Sequence, residues 1–162
     1  MVWLAVLVVI VAAGIYFIFA YNRLVFLDNI TKNAWSQIEI NIKLRNDLLP
    51  LLAGIVGSYS EYEKTALKEL TSLRAKNKPL TEFFASLENY PHLKADKSFL
   101  KLQEEISRLE SNIGFKRQFY NDAVYKHNTF LMSFPSSIAG KIFGFKAKKS
   151  FENDSEYGGV KL

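Results

Sequence analysis

Directly after Met1 the sequence reads Val2-Trp-Leu-Ala-Val-Leu-Val-Val-Ile-Val-Ala-Ala-Gly-Ile-Tyr-Phe-Ile-Phe-Ala-Tyr21, a run without charged side chains, and the first charged side chain is that of Arg23. A helix of about 20 apolar residues can cross a hydrocarbon layer of about 30 Å, and a helix satisfies its own backbone hydrogen bonds there. A cleaved secretory signal peptide is the alternative, but it requires a basic leading region, a shorter apolar core and small residues before the cut. Ile18 lies where a small residue is needed, so residues 1–22 are predicted to be a retained transmembrane anchor.

The flanks of this run indicate on which side of the membrane the rest of the chain lies. No Lys or Arg precedes the run, whereas Arg23 and Lys32 follow it closely. Basic residues near a membrane helix favour the cytoplasmic side. We therefore expect a single-pass protein with a translocated N-terminus and a cytoplasmic soluble part.

The composition limits the remaining possibilities. The 162 residues carry a net charge of +5 and include no cysteine, which excludes disulfides, thiol catalysis and Cys-ligated metal centres. Acidic and basic residues are interspersed through the middle of the chain. Next to a membrane, a basic excess near the C-terminus favours anionic lipid headgroups, and we expect no nucleic-acid partner. This excess comes from Lys141, Lys146, Lys148 and Lys149.

Residues 22–46 contain no Gly or Pro, so the membrane helix can continue outward without a break. Apolar residues there form two stripes at helical spacing, which predicts neighbouring helices on two sides. Asp47 followed by Pro50 matches the capped start of a second helix, so we expect the first helix to end at Asn46. The first stripe holds Leu24, Leu27, Ala34, Trp35, Ile38 and Ile42, and the second holds Phe26, Ile30, Ile40 and Leu44.

Three further helices are expected beyond this point. The second covers residues 47–73 on a spacing of three and four, with Gly54 and Gly57 allowing another helix to approach closely. A short third helix covers residues 80–87, and the longest covers residues 96–133, ended by the proline that follows.

Together these patterns predict an all-α fold class. A transmembrane helix over residues 1–22 continues into an up-and-down, four-helix bundle over residues 23–134. Residues 135–162 form a basic, partly disordered C-terminal tail.

Several segments resemble, in order and spacing, the LemA family of bacterial single-pass membrane proteins, and together they cover residues 21–145. The sequence departs from the family pattern at Asn46, Leu49 and Gly114, which we interpret as packing positions. The segments are Tyr21-Asn-Arg-Leu-Val, Ala34-Trp-Ser-Gln-Ile-Glu-Ile, Leu44-Arg-Asn-Asp-Leu-Leu-Pro-Leu-Leu, Tyr59-Ser-Glu-Tyr-Glu, Glu110-Ser-Asn-Ile-Gly-Phe-Lys-Arg-Gln-Phe-Tyr-Asn-Asp-Ala-Val, the run from Asn128 to Pro135, and Phe143-Gly-Phe.

The resemblance implies a helical bundle anchored in the bacterial inner membrane, without established catalytic residues. From this resemblance we expect a non-catalytic scaffold or interaction protein, whose bundle binds a protein partner or associates with itself. The alternative is a regulatory or adaptor subunit of a membrane enzyme such as a protease.

Direct signals for an enzyme are weak in this sequence. Its two histidines, His92 and His127, do not form a zinc motif, and no Gly-rich phosphate loop occurs. Ser98 and Lys101 match the S-x-x-K pattern, but the companion motifs are absent and a solvated helix start is the simpler interpretation. We expect no catalytic residues, no metal and no cofactor.

Two sets of residues are candidates for other roles. The polar and aromatic residues of the family-like segments are predicted to cap turns and to fix the register of the bundle, with Tyr125 and His127 in the core. The basic and aromatic C-terminal segment either inserts at an anionic interface or is a solvated tail with its aromatics folded onto the bundle. The first set is Trp35, Arg45, Asp47, Pro50, Arg117, Tyr120, Asn121, Asp122, Asn128 and Pro135, and the second is Lys141, Phe143, Phe145, Lys146, Lys148 and Lys149.

Overall fold

The computed structural model describes residues 1–58, 68, 71–73, 80–86 and 95–151. Within this part of the chain there is no strand, so the predicted all-α class is confirmed. The number of helices in the predicted bundle depends partly on residues outside the described ones. The helices assigned are α1 (Val2–Gly57), α2 (Thr81–Ser86), α3 (Lys97–Met132) and α4 (Ser136–Ile142).

Helix α1 runs for 56 residues without a break and contains Pro50 in its interior. The predicted helix end at Asn46 and the capping role of Asp47 are therefore wrong. An interior proline costs about 3 kcal/mol, because it removes one backbone hydrogen bond and crowds the preceding turn. Leu49 and Leu52 flank the proline and are almost fully buried. Burial of each such side chain stabilises the fold by about 1.5–3 kcal/mol, which offsets the cost of the proline.

Among the described residues, two expectations of close packing around α1 are not met. In the second apolar stripe, Phe26, Ile40 and Leu44 remain exposed, so the described part of the chain does not cover the stripe at these three positions. No described atom lies within 4 Å of a Cβ built on Gly54 or Gly57. These two glycines are therefore not sites of close helix approach among the described residues.

The start of α3 and the short helix before it follow the sequence pattern. Asp96 caps α3, because its Oδ1 accepts hydrogen bonds from the backbone N–H groups of Ser98 and Phe99 at 2.7 and 3.2 Å. In α2, Phe83 and Phe84 are buried as predicted.

The described chain divides into two compact units. The first unit contains Met1–Ser36 and Arg117–Phe151, and the second contains the described residues of Gln37–Lys116. The second unit is built around one apolar cluster to which α1, α2 and α3 all contribute. Its buried members are Leu49, Leu52, Val56, Leu80, Phe83, Phe84, Phe99 and Ile106.

In the first unit, the later part of the chain returns along α1 toward the apolar run. Trp35 of α1 contacts Tyr120, with ring centroids 5.3 Å apart, whereas Tyr21 contacts Phe143 at 4.8 Å. The C-terminal half of α3 therefore runs antiparallel to α1 here, and α4 lies beside the end of the apolar run. The buried residues of this unit include Leu24, Leu27, Ala34, Val124, His127 and Ala139.

Candidate functional site

Helix α4 ends in a turn that reverses the direction of the chain. Gly144 has φ of +74°, a left-handed conformation that favours glycine. The N–H of Phe145 donates to the carbonyl of Gly140 at 2.9 Å, and the N–H of Gly144 donates to that of Lys141 at 3.4 Å. This pair of bonds is the Schellman motif, and it explains the glycine of the Phe143-Gly-Phe segment.

Both phenylalanines of this segment contact Tyr21, at the end of the uncharged run. The ring centroids of Tyr21 and Phe143 are 4.8 Å apart, and those of Tyr21 and Phe145 are 6.1 Å apart. Phe145 is half-buried, whereas Phe143 is partly exposed. The turn is therefore held against α1 where its charged residues begin.

After the turn, residues 145–151, here called the strap, are held against α3 by two asparagine side chains. Asn128 donates from Nδ2 to the carbonyl of Lys148 at 2.7 Å, and its Oδ1 accepts from the N–H of Lys148 at 2.9 Å. Asn121 holds Phe151 in the same way, with distances of 3.0 and 2.6 Å. Each amide thus satisfies both backbone groups of one strap residue.

The spacing of these pairs explains why the same geometry can be repeated. Asn121 and Asn128 are seven residues apart, about 10 Å along a helix that rises about 1.5 Å per residue. Lys148 and Phe151 are three residues apart, and three extended residues also span about 10 Å. An extended strap therefore stays in register with α3 over both asparagines.

His127 lies beneath this arrangement and is fully buried, as predicted. Its Nδ1 is 3.2 Å from Asn128 Oδ1, which already accepts from the strap. Because an amide oxygen can only accept, the Nδ1–H tautomer fits this contact. His127 Nε2 has no hydrogen-bond partner among the described residues. Asn128 therefore links a core histidine to the strap.

An ion pair joins the strap to α1. Lys148 Nζ lies 2.7 Å from Asp28 Oδ1, and Lys32 Nζ lies 3.0 Å from Asp28 Oδ2. Burial by itself raises the pKa of the Asp28 carboxyl, but the hydrogen bonds and charges of Lys148 and Lys32 outweigh burial and lower this pKa. Lys148 was predicted as a membrane-surface lysine, and the structure pairs it with Asp28 in a partly buried position.

Aromatic rings cover the far end of the strap. Trp35 contacts Tyr120 and Phe151, with centroid distances of 5.3 and 5.9 Å, and the Arg117 guanidinium lies 4.7 Å from the centre of the Phe151 ring. The hydroxyl of Tyr120 donates to the carbonyl of Lys149 at 3.0 Å, and burial raises the pKa of this hydroxyl. Trp35 and Tyr120 are half-buried in this cluster.

The second unit contains a buried charge pair that the sequence did not reveal. Arg45 is 1% exposed, and its Nη1 lies 3.0 Å from Glu110 Oε1. The same oxygen accepts from the N–H of Leu80 at 3.3 Å, and Arg45 Nη2 donates to Asn46 Oδ1 at 3.3 Å. Arg45 was expected at a turn, but it lies inside α1, where this pair ties α1 to α3 and to the residue before α2.

The remaining predicted residues lie at the surface. Tyr125 was expected in the core, but it is 71% exposed, because it lies on the side of α3 opposite Val124 and His127. Of the basic C-terminal set, Lys141, Lys146 and Lys149 are exposed. Asp47, Pro50 and Asp122 are also exposed, and Pro135 is half-buried.

The geometry above holds a segment of the chain in place. Among the described residues, no three His, Asp or Glu side chains lie close enough to bind a metal ion together. The profile of the LemA family matches residues 34–80 and 76–160. The matched ranges include the asparagines that hold the strap and both members of the buried charge pair. No curated protein matches the chain at a significant level.

Proposed function

The chain belongs to the LemA family, and from this premise we propose that it is a membrane-anchored, non-catalytic scaffold whose helical body binds a protein partner or a second copy of itself. The observation that supports the proposal is what the polar residues of the family-like segments contact. Arg45, Asn121 and Asn128 contact other parts of the same chain and hold them together. Residues occupied in this way serve the architecture and not a reaction.

The anchor is supported by the first part of α1. An 18-residue window of this helix has a mean hydropathy of 2.8, and none of the window is buried against the rest of the chain. Apolar side chains exposed on every side of a helix are stable in lipid and unfavourable in water. The proposed location is the bacterial inner membrane, crossed once.

The soluble part is proposed to be cytoplasmic because the basic residues Arg23 and Lys32 closely follow the apolar run. Ser150 is exposed and the chain has no native cysteine, so Ser150→Cys provides a unique reporter. In intact cells this thiol should resist a membrane-impermeant maleimide and should react after permeabilisation. Labelling in intact cells at the permeabilised level would contradict this orientation.

The outer side of α3 in the first unit is the surface proposed for a partner. Phe119 is 55% exposed and Tyr125 is 71% exposed, and the exposed Asp122 lies between them on one face of the helix. Aromatic side chains are enriched at the centre of protein interfaces, and polar side chains form the rim around them.

Site-specific photocrosslinking in native membranes tests the scaffold proposal. A photoreactive phenylalanine at Phe119 or Tyr125 should form a discrete adduct, either at twice the mass of the chain or with one recurring protein. The matched control is Glu104, an exposed polar position on the same helix, which should give little adduct. Equal, diffuse crosslinking at all three positions would contradict a binding role for this face. Identification of a recurring protease in the adduct would favour the adaptor alternative.

A further inference from the structure

Helix α4 buries its small residues and exposes its large apolar ones, which is the reverse of what a helix in water usually does. Its buried face carries the small residues Ser136, Ala139 and Gly140, whereas Ile138 and Ile142 point outward and are 44% and 64% exposed. A surface helix in water normally buries its large apolar residues and exposes its polar ones. The small residues let α4 lie close to its neighbours, since a Cβ on Gly140 would collide with the side chain of Leu131.

Two aromatic residues extend this apolar surface beyond the ends of the helix. Phe134, just before α4, is 83% exposed, and Phe143, just after it, is 47% exposed. With Ile138 and Ile142 they form a group of four exposed apolar side chains, here called the α4 surface. So many large apolar residues within ten positions are unfavourable in water and indicate contact with another apolar medium.

The position of α4 in the first unit indicates what that medium is. Tyr21, the last residue of the apolar run, contacts both Phe143 and Phe145, so the α4 surface begins where the membrane span ends. Tyrosines and tryptophans are enriched at this boundary between hydrocarbon and headgroups. The α4 surface is therefore continuous with the exposed apolar side chains of α1.

The charges around α4 fit an anionic surface. Lys141 lies on the outer side of α4, and Lys146 and Lys149 follow it, all of them exposed. Residues 130–151 contain no Asp or Glu. Asp28, which contacts the strap, is already paired with Lys148 and Lys32. Basic residues close to a bilayer attract anionic headgroups.

We propose that the α4 surface inserts into the headgroup layer of the same bilayer that α1 crosses, with Lys141, Lys146 and Lys149 against anionic phosphates. The inference rests on the proposed membrane anchor and deepens it. The chain then has two attachments to one leaflet, a spanning helix and an interfacial helix joined by the Tyr21 contacts. Two attachments fix the rotation of the folded body about α1, which a single span leaves free.

Nitroxide probes on single cysteines test this placement in the full-length protein. The protein is reconstituted into phosphatidylcholine vesicles with or without phosphatidylglycerol, and collisions of each probe with oxygen and with a water-soluble nickel chelate are measured. Probes at Ile138→Cys and Ile142→Cys report the α4 surface. Tyr125→Cys, an exposed position on α3, is the matched control, and Ile10→Cys reports the span.

The α4 probes should give an oxygen-to-nickel collision ratio at least about twofold above that of the Tyr125 probe, since interfacial helices lie about 5–10 Å inside the headgroup boundary. Replacing Lys141, Lys146 and Lys149 together by Ser should remove the increase of this ratio that phosphatidylglycerol produces. Lys148 stays unchanged because it belongs to the fold.

The other outcomes separate this inference from the anchor on which it rests. Water-exposed probes at positions 138 and 142 together with a lipid-buried probe at position 10 would overturn the inference and leave the anchor intact. A water-exposed probe at position 10 would overturn the anchor itself. If the α4 probes are shielded from both reagents, a protein and not lipid covers this surface, and the inference is wrong.

Discussion

Each of the two units is stabilised internally by a different kind of polar contact. In the second unit, one buried charge pair, Arg45 with Glu110, joins three segments of the chain. In the first unit, two neutral amides, Asn121 and Asn128, hold a single half-exposed strap.

This difference predicts different responses to mutation. Loss of one member of a buried ion pair leaves a charge without its partner in a medium of low dielectric, which is costly. Loss of a neutral amide near the surface lets water take over part of the hydrogen bonding. Removing one member of the charge pair should therefore strongly destabilise the second unit. Removing one asparagine should weaken the attachment of the strap in the first unit by a smaller amount.

The largest effect is expected from Glu110→Ala, which removes the carboxylate beside the buried Arg45 guanidinium. We expect a loss of about 3 kcal/mol in the free energy of unfolding, at the lower end of the range for broken buried pairs, because Glu110 is partly exposed. Denaturant unfolding of the full chain in detergent measures it. Glu104→Ala, at an exposed position, should change stability by less than about 0.5 kcal/mol. Partial recovery in the double variant Arg45→Met, Glu110→Leu would identify the uncompensated charge as the cause.

Trp35→Ala should have the next largest effect, because it removes the ring that contacts both Tyr120 and Phe151. Trp35 is half-buried, so we expect a loss of about 2 kcal/mol, less than a fully buried tryptophan would give. Trp35→Phe should lose less, since it retains an aromatic ring. A midpoint identical to the parent in both variants would mean that Trp35 faces solvent and that its ring contacts are not formed.

The asparagines of the strap should each contribute less. Asn121→Ala and Asn128→Ala each remove two hydrogen bonds to the strap, and Asn128→Ala also removes the contact with His127, so we expect losses of about 1–2 kcal/mol. Asp122→Ala, at an exposed position next to Asn121, is the control and should be close to neutral. Losses in the control equal to those in the asparagine variants would argue against the strap contacts.

The smallest effect should come from the ion pair of Asp28 with Lys148, and it should depend on pH. Because the pKa of Asp28 is lowered in the folded chain, its contribution is complete above the unfolded-state pKa of about 3.9 and is lost as the pH falls through the lower folded value. Asp28→Asn should therefore destabilise by less than about 1 kcal/mol at pH 7, and this difference should shrink as the pH falls below the unfolded-state pKa. A difference that does not shrink as the pH falls below the unfolded-state pKa would show that the Asp28 charge contributes nothing.

Helical periodicity was enough to predict α3. In α3, Phe99, Ile106, Leu109 and Ile113 are buried as their spacing indicates, because one apolar stripe faces one core. The same reasoning failed at Pro50. Asp47 and Pro50 fit a capped helix start, but they also fit a continuous helix whose neighbouring leucines are buried. The local pattern is the same in both cases, and tertiary packing decides between them.

The strap and the buried charge pair could not be predicted in this way. An extended segment such as residues 145–151 has no apolar periodicity, and it binds through its backbone, which every sequence possesses. Arg45 and Glu110 are 65 residues apart, so no spacing rule connects them. One signal was available for the strap. Two asparagines seven residues apart on α3 lie on the same face of a helix and can hold two residues of an extended chain.

Residue-resolved amide hydrogen exchange on the full-length chain tests the central claim most directly, namely that the family-like asparagines hold the strap in place. The amides of Lys148 and Phe151 donate to Asn128 and Asn121, so both should be protected, while those of Ala147 and Lys149 should exchange rapidly. In Asn128→Ala the protection of Lys148 should disappear. Exchange of Lys148 and Phe151 at the rate of their neighbours in the parent protein would contradict the account.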